Sequence, residues 1–226
     1  MISRALAPAI LFAAIPIGAS AKPAPAPMRI VADAGPATPS DPVLRVTGWV
    51  INAQDNGGLP FIIVDKVAAT VFAFDAGGTL VGSAPVLIGI GKGDDSAPGV
   101  GDKALSRIPV SQRTTPAGRY FAKYGFASRN EQVLWIDYAN AVSLHPVITS
   151  NAKEHRLQRL RSPSPDDNRI TYGCINVPKS FYASVIRPLF KPKGGVAYIL
   201  PESRPLEQVF AAASIQRGQV GVPVSP

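Results

Sequence analysis

Cys174 is the only cysteine in 226 residues, and it stands in RITYGCINVP, Arg169 to Pro178. A thiolate is a strong nucleophile, and an imidazole within hydrogen-bonding reach is the usual means of generating one near neutral pH. The chain offers two, His145 and His155. His145 closes the apolar run AVSLH ahead of Pro146, so it is expected at a strand end, where a rigid element can aim it. His155 lies in KEHRLQRLR, a basic stretch expected at the surface, which makes His145 the candidate base. Burial as an inert thiol is the competing reading of Cys174, because free cysteine is among the most buried residue types.

These residues must be held by the elements around them. Pro178 to Arg187 reads as a helix, with Phe181 and Val185, and Tyr182 and Ile186, at i, i+4 spacing and Pro188 ending it. Cys174 is then expected in a loop just before a helix N-terminus, whose partial positive charge would favour a thiolate. Gly173 allows the backbone to turn sharply there. Asn176 is expected to cap the helix or to orient a substrate, with the cap favoured. The remaining signals are strand-like runs at Val43–Ala53, Phe61–Lys66, Thr70–Asp75, Leu80–Ile88, Gly118–Tyr124, Val133–Tyr138, Ala141–Ile148 and Gly195–Leu200. One helix among many strands predicts a mainly β fold of sandwich or barrel class. Gly89–Lys103 reads as a long surface loop, and Thr149–Arg169 as an arginine-rich loop with a short helical turn. Trp49 and Trp135 fall within strand patterns and are expected to pack.

Met1 to Ala21 has a basic Arg4, an apolar run from Ala5 to Ile17, and Ala19-Ser20-Ala21, the layout of a secretory signal peptide. The run is shorter than the roughly 20 residues that span a bilayer and is broken by Pro8 and Pro16, so no stable membrane insertion is expected after cleavage. Residues 22–42 read as a Pro/Ala-rich linker, 43–202 as the folded domain, and 203–226 as a tail with one short helix around Leu206–Ala213. The expected location is outside the cytoplasm, in the periplasm or cell envelope. A net charge of +8 fits an anionic partner or simple solubility, and no basic-aromatic interleaving points to nucleic acid. With no Cys-x-x-Cys and only two histidines, neither a redox pair nor a metal site is expected, and no cofactor is implied.

Taken in order, Thr115-Pro116-x-Gly118, the strand-borne His145 and Thr171-x-Gly173-Cys174-Ile175-Asn176 resemble the L,D-transpeptidase catalytic domain, also called the YkuD domain, from about Leu59 to Glu202. The resemblance implies a β-sandwich-like domain with one or two short helices, acting on peptidoglycan stem peptides. It implies Cys174 as nucleophile and His145 as base, with the backbone amides of Tyr172, Gly173 and Cys174 as oxyanion hole. The acyl-enzyme would form with loss of a terminal D-alanine and pass to an amine acceptor. An L,D-carboxypeptidase or cross-link hydrolase shares that intermediate, and a non-catalytic peptidoglycan-binding protein is the alternative from another class. Two departures stand out: Tyr172 occupies the position where the family commonly has a second histidine, and the segment between His145 and Cys174 is longer than usual. Within that segment, Arg156 and Arg169 are expected to bind a substrate carboxylate bidentately, unless they form a solvated face with Arg159, Arg161, Glu154, Asp166 and Asp167. Thr115 is expected to be architectural.

Overall fold

The computed structural model describes residues 37–127 and 130–210. The signal peptide, most of the linker and the end of the tail, including the last residues of the helix expected to reach Ala213, lie outside the described residues. The mainly β class is met. Among the described residues, the ten strands are β1 (Phe61–Asp65), β2 (Thr70–Phe74), β3 (Leu80–Pro85), β4 (Ile88–Gly89), β5 (Gly118–Phe126), β6 (Gln132–Asp137), β7 (Val142–Pro146), β8 (Arg169–Thr171), β9 (Ile175–Val177) and β10 (Gly195–Ile199). Eight of them form one mixed sheet in the order β3-β2-β1-β10-β5-β6-β7-β9, while β4 pairs with β8. Leu87, just past edge strand β3, bridges to Asn176 in the opposite edge strand β9, so the sheet curls back almost onto itself.

The first strand-like run is a correction. Asp41–Ala53 is an α-helix, α1, whose buried residues Val43, Val46, Trp49 and Val50 make one stripe. Its β-branched content suggested a strand, but the apolar spacing is close to 3.6 residues, and burial of that stripe decides the conformation. The expected linker therefore meets helix at Asp41. Ahead of it, the Ala37 N–H donates to Ser83 Oγ and the Ser40 hydroxyl to Asp65.

The sheet has two kinds of face. Ile62, Val64, Ala122, Leu134, Leu144, Ile175 and Ala197 form the larger core with Phe181, Val185, Ile186 and Phe190. Those last four come from α3 (Lys179–Phe181), a π-helical turn (Tyr182–Ile186) and α4 (Arg187–Phe190). Pro188 does not end this helix. The π turn just ahead of it widens the backbone and accommodates the missing N–H, so the helix runs on to Phe190. The opposite face of β1, β2 and β10 is covered by α1 and by α5 (Leu206–Val209), with Trp49 set edge-on to Tyr198 and Phe210 beside both. Residues 203–210 thus belong to the folded body.

On that second face the cover stops at β5. The registers Val196↔Phe121, Lys123↔Trp135, Trp135↔Ser143 and His145↔Asn176 carry the same face across β5, β6, β7 and β9. Phe121 is exposed here, Lys123 is exposed and Trp135 half-buried. An open strip of sheet thus leads from the helical cover to the residues singled out for chemistry.

Candidate active site

His145 sits at the end of β7, as its place before Pro146 predicted. Side chains alternate along a strand, so Val142 and Leu144 enter the core while Ser143 and His145 share the open face. Cys174 directly precedes β9, and the parallel β7–β9 register sets Ser143 and His145 beside Cys174 and Asn176. The helix begins only at Lys179, so the expectation that a helix N-terminus supports the thiolate is overturned. Strand β9 intervenes because Ile175 and Val177 fill core positions.

Gly173 makes the turn into Cys174 at φ +128°, and a Cβ on it would come within 2.6 Å of the Thr114 carbonyl oxygen. Only glycine fits both demands. Its N–H donates to Thr171 Oγ1 at 3.1 Å, and its carbonyl accepts from Thr115 Oγ1 at 2.9 Å. Thr115 Oγ1 also accepts from the Gly89 N–H at 2.9 Å, so this buried hydroxyl ties the cysteine turn to β4. A buried network stands behind Thr115. Lys66 Nζ donates to Thr115 O, Gly93 O and Asp94 Oδ1 at 2.9, 2.7 and 2.8 Å. Asp94 in turn accepts from the amides of Glu202, Ser203 and Arg204 and from the Ser203 hydroxyl. Burial pushes Asp94 up, but the Lys66 ammonium and these donors override it and hold the carboxyl well below the usual carboxylate range.

The half-buried thiol lies 3.6 Å from Ser143 Oγ and donates to the Ala141 carbonyl at 3.5 Å. Burial alone would raise the thiol, and the facing His145 imidazole more than offsets it, lowering Cys174 below its ordinary value, with Ser143 adding to the effect. Burial works against the imidazolium as well, yet the thiol and the Pro146 carbonyl raise His145, while the charge of Arg156 opposes the rise. His145 Nδ1 is 2.9 Å from the carbonyl oxygen of Pro146 and Nε2 is 3.0 Å from Asn176 Nδ2. Tyr172 is half-buried, with the Arg113 guanidinium 4.1 Å over its ring.

The expected substrate-binding residues are placed differently from one another. Asn176 is 1% exposed and caps no helix; its amide lies between His145 and Arg156, whose Nη1 donates to Oδ1 at 2.7 Å. Arg156 opens α2 (Arg156–Arg159) and also pairs with Glu154. The segment is seated by Leu160, which packs with Leu87 and Val147. Arg169 is brought to Glu202 rather than to the thiol. Arg159 donates to the carbonyls of Glu154 and Asp167, and Arg161 and His155 are exposed. Ser143 was not singled out from the sequence, although its position two residues before a strand-borne histidine signals a shared face. On the other side of His145, a groove of ≈ 670 Å³ is lined by Tyr124, Gln132, His145, Tyr182 and the cations Lys179 and Arg187.

Among the described residues, no helix is long and apolar enough to cross a membrane, and no group of three or more His, Cys, Asp or Glu could hold a metal ion. No family model matches the chain, and no curated protein matches it. Among solved structures it is similar to the L,D-transpeptidase from Xylanimonas cellulosilytica DSM 15894, with 13% identity and a TM-score of 0.37, over 62% of this chain and 60% of that one. The chain thus spans about 60% of the length of that structure. At that degree of likeness, the functional reading rests on the site's own geometry.

Proposed function

We propose that the protein is a cysteine acyltransferase of the L,D-transpeptidase type, acting on peptidoglycan stem peptides in the cell envelope. The observation that carries this reading is the placement of the only cysteine beside a strand-borne imidazole that lowers it, at the end of an open sheet face. A buried structural thiol needs neither the imidazole nor the opening.

The chemistry follows from the arrangement. Pro146 O accepts from Nδ1–H, which leaves Nε2, whose lone pair the Asn176 NH₂ holds in the resting protein, as the nitrogen that takes the proton once that amide is displaced. His145 takes the thiol proton and the thiolate attacks the carbonyl of the third stem residue. The Gly173 N–H is committed to Thr171, so the Tyr172 and Cys174 amides are the donors assigned to the developing oxyanion. The C–N bond then breaks, and the imidazolium returns its proton to the departing D-alanine amine. An acceptor amine next attacks the thioester, loses a proton to His145 and regenerates the thiol. The groove beside His145, with Lys179 and Arg187 on its wall, suits a peptide that carries carboxylates.

Mass spectrometry of a disaccharide tetrapeptide, carrying diaminopimelate and a terminal D-alanine, incubated with the protein and with Cys174→Ala tests the reading. A Cys174-dependent dimer lacking one D-alanine is expected. Tripeptide alone would make the protein a carboxypeptidase. The absence of both product and acyl-enzyme, with a donor and acceptor that a known transpeptidase consumes, would refute catalysis.

A further inference from the structure

Arg156 and Asn176 form a short relay onto the base. A guanidinium has donors only, so the Asn176 atom that faces Arg156 Nη1 at 2.7 Å must be the carbonyl oxygen. The amide orientation is thereby fixed, and its NH₂ must face His145 Nε2 at 3.0 Å. A donor on that side requires a bare Nε2, so the ring proton sits on Nδ1, where the Pro146 carbonyl receives it at 2.9 Å. Three partners in a row define one tautomer. The same chain of donors makes the imidazolium awkward: a proton on Nε2 would meet the Asn176 NH₂, and turning the amide over would set that NH₂ against Arg156.

We propose that Arg156, acting through Asn176, is a positioning residue that fixes His145 as the Nδ1–H tautomer and restrains charge separation between His145 and Cys174 in the resting protein. The proposal rests on the reading of Cys174 and His145 as nucleophile and base. It assigns a role to the long segment after β7: that segment carries Arg156 to the back of the base, and Leu160 anchors it against Leu87 and Val147. The charged and titratable groups that face His145 are Cys174 ahead of β9, Arg156 with its partner Glu154, and Lys179, Arg187, Glu131, Tyr124 and Tyr182 around the groove. Only the Arg156–Asn176 pair reaches the imidazole through a fixed amide.

The test uses the single thiol and the two histidines of the chain. In ¹⁵N-histidine NMR, with His155→Gln used to assign the signals, neutral His145 is expected to show a protonated Nδ1 and a bare Nε2. Arg156→Met keeps the side-chain stem and removes the donors, so Asn176 can turn its oxygen toward Nε2–H. The His145 titration then moves up by about one pH unit, and iodoacetamide alkylation of Cys174 near pH 6 becomes about tenfold faster. Arg156→Lys, which retains a donor, is expected to stay close to wild type. Asn176→Asp, which places an acceptor against Nε2 without disturbing Arg156, is expected to raise the His145 titration too and covers the case in which Arg156→Met does not fold. A neutral Nε2–H tautomer in the wild type, or slower or unchanged alkylation in folded Arg156→Met, overturns the proposal. A His145→Gln variant whose alkylation profile equals wild type would instead overturn the base assignment itself.

Discussion

Removing the Thr115 hydroxyl without changing the residue's shape is the most direct test of how the cysteine turn is held. Thr115 is 2% exposed, and its Oγ1 accepts from the Gly89 N–H and donates to the Gly173 carbonyl. Thr115→Val leaves both backbone groups without this partner in buried surroundings. An unsatisfied buried group costs about 1–3 kcal/mol, so the pair costs about 2–6 kcal/mol, and the added methyl returns at most about 1 kcal/mol. A net loss of about 1–5 kcal/mol is a substantial part of the roughly 5–15 kcal/mol that holds a domain folded. At about 2 kcal/mol per molar urea, the unfolding midpoint falls by about 0.5–2.5 M. Thr115→Ser keeps the hydroxyl and loses one methyl, about 1 kcal/mol. Below the transition, the Val variant is also expected to alkylate Cys174 more slowly, because the released Gly173 carbonyl lets the peptide ahead of the thiol rotate. Equal midpoints and equal alkylation rates for the Val and Ser variants would refute the assignment of Thr115 as the tie.

Other perturbations have definite signs. Gly173→Ala forces an L residue to φ +128° and a Cβ against the Thr114 carbonyl; backbone strain alone is worth about 1–3 kcal/mol, and loss of thiol reactivity is expected before loss of the fold, as alkylation and urea melts will show. His145→Gln removes the group that lowers Cys174, so the alkylation profile moves up toward an ordinary thiol near ~8.5. Lys66→Met breaks a buried pair that also serves two carbonyls, with an expected cost of about 3–5 kcal/mol in chemical denaturation. Asp94 is lower in the folded than in the unfolded protein, so its contribution is complete above about pH 4 and is lost as pH falls toward the folded value. Urea midpoints measured across acid pH should fall less steeply for Asp94→Asn, and parallel slopes would refute the account.

Much of this was legible because the strands are short apolar runs bounded by turn residues, as at Asp75-Ala76-Gly77-Gly78 between β2 and β3. His145 could be placed because the residues around it alternate. Asp41–Ala53 was misread because β-branched content was weighed above the spacing of Val43, Val46, Trp49 and Val50, and spacing is what burial acts on. Ile175 to Val177 was hidden by the helix signal that follows it, since three residues give too little period to recognise. Asn176 fitted a cap by residue type, but its partners are 20 and 31 positions away, and contacts over such separations leave no local trace. The arginines divided for the same reason, one reaching the Asn176 amide and another reaching Glu202.

The hold of residues 202–204 on Asp94 spans more than 100 positions of sequence and is among the late contacts to become possible as a chain is threaded out N-terminus first. Until that clasp arrives, Asp94 lacks four donors, Lys66 has a poorly fixed partner, and the Thr115 strut beneath Gly173 has no firm footing. A half-delivered chain therefore lacks the ties that fix the turn into Cys174.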